Sequence, residues 1–426
     1  MNVHEWPVAV GTVEASSPTD VDCRSPSGAP SPGAKLLVMH GDRPLGYLEI
    51  TGPVGWLPAA VVGRLVAERF GPLVERPPFR FPSVAPPFAS VIVPSNVRCR
   101  AALAGAVARL EQLDYPSFEV IVVDNRSRPD EALRDELSSD KTRVVHEPCP
   151  GISAARNRGI SEARGEVVAF TDDDDAVDLK WLRALAGHFS DPAVVACMGI
   201  LVPSALETFA QVWFEASART VRPRFEPARV HFDGIHSIRT APGERPARDL
   251  IYAMGDFGAG CMAMRASALR DLHGFDEALG VGTRSGAGDD LQMLVRLLCA
   301  GGTLVVEPGA IVYRGLRPTL DELEGQLRAY GRGFTAMLTS LLLENPRLHL
   351  RALLASLPRA VASVSKGVDG RGGRPRTATE RRLLRADRVG MLGGPVAYLR
   401  ARRSARSCRR GHPSPLAGAG SHRCDG

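Results

Sequence analysis

The sequence predicts an α/β protein built on a largely parallel sheet with helices on both faces. Two observations carry that expectation. Between residues 89 and 198, short apolar runs rich in β-branched residues alternate with segments of helical spacing, the pattern of βαβ units rather than of hairpins. Two of those runs end in acids: Asp124 closes 118–124, and Asp172 to Asp175 follow 167–170. Parallel strands share a C-terminal end, so these acids fall at one sheet edge, where open α/β sheets bind ligands.

Taken in order, residues 1–34 are rich in Pro, Ser and Gly and are expected to be mobile. Lys35-Leu-Leu-Val-Met-His40 and Leu45-Gly-Tyr-Leu-Glu-Ile50 flank a turn at Gly41-Asp-Arg-Pro44, which predicts a β-hairpin. An amphipathic helix near 58–70 completes a small ββα module over 35–75. Pro77, Pro78, Pro82, Pro86 and Pro87 make 76–87 a stiff linker into the main domain, 88–318. There, strands are predicted at 89–94 (stopped by Pro94), 118–124, 143–146, 167–170 and 193–198. Helices are predicted near 98–113, 130–138, 153–163 and 179–189. Ser153 can cap the third of these helices and Gly165 marks its end.

Beyond residue 200 the pattern is less regular. A helix is expected over 208–217, a charged loop over 219–249, a Gly-rich stretch over 255–265, and a helix opened by Asp289-Asp290. Residues 319–365 read as an amphipathic helical region and 366–426 as a basic, partly disordered tail.

A length of 426 residues allows two or three domains, and 44% hydrophobic with 23% charged residues is ordinary for a soluble globular chain. The net charge of +6 is uneven: residues 371–426 hold fourteen arginines against Glu380, Asp387 and Asp425, which leaves the remainder mildly acidic. No helix-turn-helix, zinc-finger or aromatic-interleaved motif accompanies this charge, so nucleic acid is not the expected partner. A basic and apolar mixture suits anionic lipid headgroups, and a plain solubility tail is the alternative. The eight cysteines include no Cys-x-x-Cys pair and several sit in apolar runs, which predicts reduced core cysteines in a cytoplasmic protein. No basic region followed by an apolar run opens the chain, and no apolar run reaches membrane-spanning length, so a signal peptide is not expected and membrane contact should be peripheral.

The four aspartates 172–175 repel one another strongly enough to require a compensating cation. Hard carboxylate oxygens favour Mg²⁺ or Mn²⁺, held by one or two carboxylates together with substrate phosphates.

Five segments in order resemble glycosyltransferase family 2, the inverting GT-A enzymes that use nucleotide sugars. They are Val91-Ile-Val-Pro94, Val122-Val-Asp-Asn-Arg-Ser127, Pro150-Gly-Ile-Ser-Ala-Ala-Arg-Asn-Arg-Gly159, Phe170-Thr-Asp-Asp-Asp174 and Gly288-Asp-Asp290. The resemblance runs from about Ser90 to Gly333. It implies a GT-A fold and a donor pocket including Pro94 and Asp124, with Asp124 accepting from the nucleotide base. Asp172, Asp173 and Asp174 cover an Asp-x-Asp element, with Asp172 and Asp174 on the metal. Arg156 and Asn157 are expected to contact nucleotide or phosphate, although a structural salt bridge would explain Arg156 equally. In the Asp289-Asp290 pair, the second member is the expected general base and the first has a capping role open to it. Gly258 and Gly260 are expected to let backbone approach the sugar or acceptor.

Three departures from the family pattern stand out. Asp175 stands where relatives commonly carry an apolar residue. Arg314, in Ile311-Val-Tyr-Arg-Gly315, replaces a histidine that helps hold the metal or diphosphate, so Arg314 is expected to face the donor. Met262 replaces a polar residue. The implied function is transfer of a sugar from a nucleoside diphosphate, UDP in the first instance, to an acceptor hydroxyl, with a lipid-linked or cell-envelope glycan as the acceptor that family habit implies. The implied location is the cytoplasm, peripheral at the inner face of the cell membrane. The rival is a degenerate relative that binds nucleotide or partner proteins without turnover. Asp174-Asp-Ala-Val-Asp178 also fits an Asp-Asp-x-x-Asp pattern of prenyl-diphosphate synthases, but those acids lie on long helices and these follow a strand.

Overall fold

A computed structural model describes residues 6–25, 27–71, 86–217, 223–232, 237–239, 247–249, 260–346 and 377–416. Val8–Glu14 (β1), Val21–Asp22 (β2), Ser31–His40 (β3), Arg43–Val54 (β4) and Trp56–Leu57 (β5) precede the helix Ala59–Phe70 (α1). The expected hairpin is β3–β4, antiparallel across Leu36↔Leu48. The N-terminus departs from expectation. Residues 8–14 form an ordered strand, paired parallel to β3 from Val8↔Gly33 to Glu14↔Met39. Val8-Ala-Val-Gly-Thr-Val13 is a β-branched run, and the Pro/Ser/Gly composition around it hides that signal. The module is therefore a three-stranded sheet plus helix, with Leu37 packed on Ile200, Val202 and Ile311 of the main domain.

The main domain alternates as the sequence predicts: Ala89–Ser95 (β6), Arg100–Leu110 (α2), Phe118–Asp124 (β7), Glu131–Leu137 (α3), Thr142–His146 (β8), Ile152–Glu162 (α4) and Val167–Phe170 (β9). Ala176–Val177 (β10), Trp181–Ala186 (α5), Val194–Pro203 (β11) and Phe209–Ala216 (α6) follow. The charged stretch expected as loop contains three strands, Ala228–Phe232 (β12), Ser237–Arg239 (β13) and Ala247–Asp249 (β14). Then come Met262–Arg265 (β15), Ala266–Asp271 (α7), Asp289–Cys299 (α8), Thr303–Arg314 (β16), Leu320–Glu344 (α9) and Ala378–Gly411 (α10). The sheet order is β14-β13-β12-β16-β11-β15-β9-β6-β7-β8, with β10 also paired to β16.

Strands β6, β7, β8 and β9 pair parallel, as do β11 and β16. β15 runs antiparallel between β9 and β11. The strands are apolar on both faces because each face is covered. Alternate residues divide between two cores: Ile92, Ile121 and Phe170 face one, while Val91, Val93, Val120, Val122 and Trp181 face the other. Pro94 sits in β6 where it costs no ladder bond, since pairing to β9 ends at Ile92↔Phe170.

The C-terminal region also departs from expectation. Residues 378–411 form one helix, opened by a capping box of Thr377 and Glu380 and laid against α9. Its far end is fixed by a disulfide between Cys149 and Cys408, with Cα atoms 5.9 Å apart, so these two cysteines are not the reduced core thiols expected. Residues 76–85 of the predicted linker (76–87), the end of the helical region (347–365) and Gly258 lie outside the described residues. Among those described, no helix is long and apolar enough to cross a membrane.

Candidate active site

The acids gather at the C-terminal edge of β6, β7 and β9. Ser95 lies opposite Asp124 in the β6–β7 register. Its hydroxyl donates to Asp173 Oδ2 and accepts from the Val97 amide at 2.9 Å, tying the aspartate turn to β6. Burial pushes the Asp173 carboxyl up, against the pull of Ser95 and with the repulsion of Asp174 and Asp172. Asp174 is exposed and makes no hydrogen bond or ion pair among the described residues.

The compensating cation that the four aspartates demand is in the chain itself. Arg314, at the end of β16, donates from Nη2 to Asp172 Oδ2 at 2.8 Å and to Asp175 Oδ2 at 2.6 Å, and from Nε to Asp175 Oδ1 at 3.1 Å. Two of the three departures from the family pattern, Asp175 and Arg314, are therefore partners in one bidentate pair. Burial pushes the Asp175 carboxyl up to about 6 while Arg314 pulls it down, and the close bidentate contact keeps it ionised near neutrality. Burial works against the charge of Arg314, but Asp172 and Asp175 outweigh it and raise its pKa. Gly260 makes room for this guanidinium. It has φ +113°, and a Cβ there would lie 2.4 Å from Arg314 Nη2. Gly260 thus serves the cation, where approach to a sugar or acceptor was expected.

Asp124 is fully buried and already bound: the Arg126 backbone amide and Nε reach its Oδ1 at 3.2 and 2.8 Å, and Arg126 Nη2 reaches Oδ2 at 2.8 Å. A nucleotide base would have to share or displace that arginine. Asn125 joins neighbouring loops, donating to the Glu147 and Cys149 carbonyls at 2.9 and 2.7 Å and accepting from the Gly151 amide at 2.8 Å.

Arg156 and Asn157 are buried behind the strand edge, and Arg156 makes the structural salt bridge that stood as the alternative to donor contact. Arg156 is buried between the rings of Phe170 and Phe275 at 5.7 and 5.4 Å and donates to Asp289 Oδ2. Asn157 donates to the Phe275 carbonyl at 2.9 Å and to Glu277 Oε1 at 3.2 Å, and accepts from the Phe275 amide at 2.7 Å. Both fall on the inward face of α4, a direction that the motif does not specify.

Asp289 and Asp290 open α8 after Gly288, as expected. They diverge in environment: Asp289 is buried on Arg156, whereas Asp290 is half-buried and accepts only from the Leu291 amide at 2.7 Å. Burial first, then the charge of Asp289, pushes the Asp290 carboxyl up to about 7, against the pull of Arg156. Asp290 also feels the field of Asp172. Tyr330 of α9 completes the cluster. Burial raises its phenol, and its charge environment includes Arg314, Asp290 and Asp172. Sequence reasoning missed Tyr330, Ser95 and Arg126. Ser95 adjoins one quoted motif and Arg126 lies inside another, but Tyr330 lies on a helix that carries no motif.

Residues 90–272 match the family described as Glycosyl transferase family 2. A pre-mycofactocin glycosyltransferase of Mycobacterium tuberculosis is 30% identical over 217 residues, 50% of this chain and 41% of the relative. The succinoglycan biosynthesis protein ExoM of Rhizobium meliloti is 27% identical over 224 residues, 50% of this chain and 63% of the relative. The chain thus spans less than two thirds of either relative's length. Among solved structures, the mannosyltransferase PcManGT from Pyrobaculum calidifontis, in complex with GDP-Man and Mn²⁺, aligns at 18% identity and a TM-score of 0.40 over 84% of this chain and 88% of its own. S. aureus TarS 1-349 with UDP-GlcNAc aligns at 16% identity and 0.41, over 76% and 92%. The family match holds Asp124 and Asp172–Asp175 but stops short of Asp289, Asp290 and Arg314, and over residues 90–272 the chain carries a glycosyl transferase family 2 domain.

Proposed function

We propose that this chain is an inverting glycosyltransferase that moves a sugar from a nucleoside-diphosphate donor, a UDP-sugar in the first instance, to an acceptor hydroxyl. The observation that carries the reading is Asp290: a half-buried carboxyl with a pKa near 7 and a free oxygen, within the field of the acidic strand edge. A base must be unprotonated at working pH yet basic enough to take a proton, and a value near neutrality meets both needs. Asp290 would accept the acceptor's hydroxyl proton as that oxygen bonds to the anomeric carbon. The bond from that carbon to the phosphate oxygen breaks on the opposite face, and the nucleoside diphosphate departs with its electron pair. One base and one displacement give inversion.

The diphosphate is assigned to the edge formed by Arg314 and Asp172–Asp174. Arg314 is always charged and suited to phosphate oxygens, so it can exchange its carboxylate partners for the diphosphate. A divalent ion fits this edge only with help. Asp172 keeps Oδ1 and Asp174 keeps both oxygens, but no three acidic, His or Cys side chains converge among the described residues. Two carboxylates with donor phosphates suit Mg²⁺ or Mn²⁺, which when bound would neutralise charge on the leaving diphosphate. The acceptor is taken to be a lipid-linked or cell-envelope glycan met at the inner face of the cell membrane.

A second reading, nucleotide binding without turnover, draws on Arg314 occupying two of the four aspartates. Hydrolysis of a panel of nucleotide sugars by the purified protein, with and without Mn²⁺, tests the proposal. Release of nucleoside diphosphate from one donor supports it. Tight nucleotide binding with no turnover of any donor would establish the second reading instead.

A further inference from the structure

Helix α10 has two faces of opposite character. One face is buried against the body of the protein through Leu383, Ala386, Gly390, Gly394, Tyr398 and Ala401, with the two glycines on α9. The approach is close: a Cβ on Gly390 would lie 2.1 Å from the Arg328 carbonyl oxygen, and one on Gly394 would lie 1.9 Å from Thr335 Oγ1. The opposite face exposes Val389, Leu392, Val396 and Leu399, at 47%, 84%, 53% and 46%. Spacings of three, four and three residues put these four on one helical stripe. Around the stripe stand the exposed arginines 385, 388, 400, 403 and 406, and the helix contains no acid after Asp387. From the sequence alone, this stripe falls in the region read as a basic, partly disordered tail. Isolated exposed hydrophobics are ordinary, but a continuous apolar stripe rimmed by a single sign of charge is not.

We propose that this face of α10 seats the protein on an anionic lipid bilayer, with the helix lying in the plane of the headgroups. The charge pattern selects this occupant. An apolar stripe with Arg385 and Arg403 at its two ends, Arg388 and Arg406 along one side and Arg400 along the other matches an acyl boundary beneath anionic headgroups, and a protein partner would need a long acidic groove to match it. The helix is also fixed before it meets the surface, so no ordering cost falls on binding. Tyr398 Oη donates to Asp276 at 2.8 Å, Cys408 is bonded to Cys149, and Arg409 clamps Glu277 at 2.6 Å and Glu147 at 3.1 Å. The docking face is one helix away from the candidate active site. Helix α9 donates from Thr335 to the Met391 carbonyl of α10 at 2.7 Å and carries Tyr330, whose charge environment includes Arg314 and Asp290. Resting on the transferase reading, the consequence is an acceptor anchored in the same bilayer.

The test is flotation of the full-length chain with vesicles of phosphatidylcholine alone and of phosphatidylcholine mixed with phosphatidylglycerol. Donor hydrolysis and the thermal midpoint are measured on the same preparations. Wild type should float only with the anionic vesicles, and added salt should release it. Leu392→Glu with Val396→Glu should lower the partition coefficient by about tenfold or more. Arg388→Gln, Arg400→Gln and Arg403→Gln together should lower it by on the order of a hundredfold, about fivefold per arginine. Donor hydrolysis and midpoint should hold in both variants, because every substituted side chain is exposed. Absent flotation of wild type, or flotation indifferent to both variants, overturns the proposal while leaving the transferase reading intact. So does a dimer that the glutamate pair dissociates, or binding to RNA in place of vesicles. Loss of donor hydrolysis by wild type would count against the transferase reading alone.

Discussion

An aspartate in the first turn of a helix is ordinarily favoured in its charged form by the helix N-terminus, an effect of about 0.3–1 kcal/mol at exposed sites. At Asp290 burial and the neighbouring Asp289 prevail, and the carboxyl rises to about 7. Two outcomes are expected. Asp290→Asn should lower transfer by on the order of 10²-fold or more while UDP affinity, read by calorimetry, stays near wild type. Near-normal transfer would move the base to another residue, with Asp289 the first to examine. In wild type, kcat/KM should rise with pH through about 7, since the base works ionised. The stability sign is opposite. A carboxyl whose pKa is higher folded than unfolded (3.8) favours folding when protonated, so its contribution is lost as pH rises from about 4 to about 7. Denaturant midpoints compared at the two ends of that window should therefore differ less in Asp290→Asn than in wild type.

Arg314 supports a separate prediction at this scale. Its guanidinium has no lone pair and cannot ligate a metal, but it neutralises Asp172 and Asp175. Arg314→His should tighten Mn²⁺ in the UDP-bound protein and make turnover more sharply metal-dependent, and Arg314→Ala should weaken UDP. Mn²⁺ titrations with and without UDP read both; unchanged affinities in both variants would remove Arg314 from the donor site. The motif spacing made the candidate residues nameable, and the repulsion among the aspartates called for a compensating cation, expected as a divalent metal and found as Arg314. It could not foresee that Arg314 takes Asp175 in particular, because that pairing joins β16 to the turn after β9. Arg156 and Asn157 show the complementary limit. A motif names residues but not the helix face they occupy, and these two face inward.

At the scale of elements, the strands most readable in the sequence were those buried on both faces. The run 167–170 is apolar throughout and ends at Gly165 on one side and at the aspartates on the other, and its predicted bounds match β9. β15 was missed because four residues inside a Gly-rich stretch carry too little periodicity to register. β1 was missed because composition around it argued for disorder. Helix α10 is the most informative failure. Its arginines and glycines read as a tail, yet Gly390 and Gly394 are what allow α10 to approach α9. Gly390→Ala is expected to cost about 1–3 kcal/mol, because its Cβ would meet backbone that cannot move aside as a flexible side chain would. Urea unfolding checks this. A stabilised variant, as helix propensity alone would favour for Ala over Gly, would mean that the two helices are not packed this closely.

For the whole molecule, what matters is how the C-terminal helix is held to the body that contains the site. Charge counted along the sequence gave the tail a large positive excess, but part of it is spent internally: Arg382 pairs with Asp321 and Glu324, and Arg409 with Glu147 and Glu277. Beside Arg409, Cys408 is joined to Cys149 across 259 residues of sequence. Closing a loop of that length removes much unfolded-chain entropy, on the order of 5 kcal/mol in the chain-entropy model. The two anchors share one spot on the loop after β8, so their effects should not add. Cys408→Ser should lower the thermal midpoint by several degrees. Arg409→Ala should cost less while the disulfide is intact and more once it is gone, because the ion pairs then hold the helix end alone. Thiol titration of the denatured, unreduced wild type provides the independent check, and it should find two fewer reactive thiols than the reduced protein. An equal count would show the pair to be reduced, and the end of the helix would then depend on Arg409.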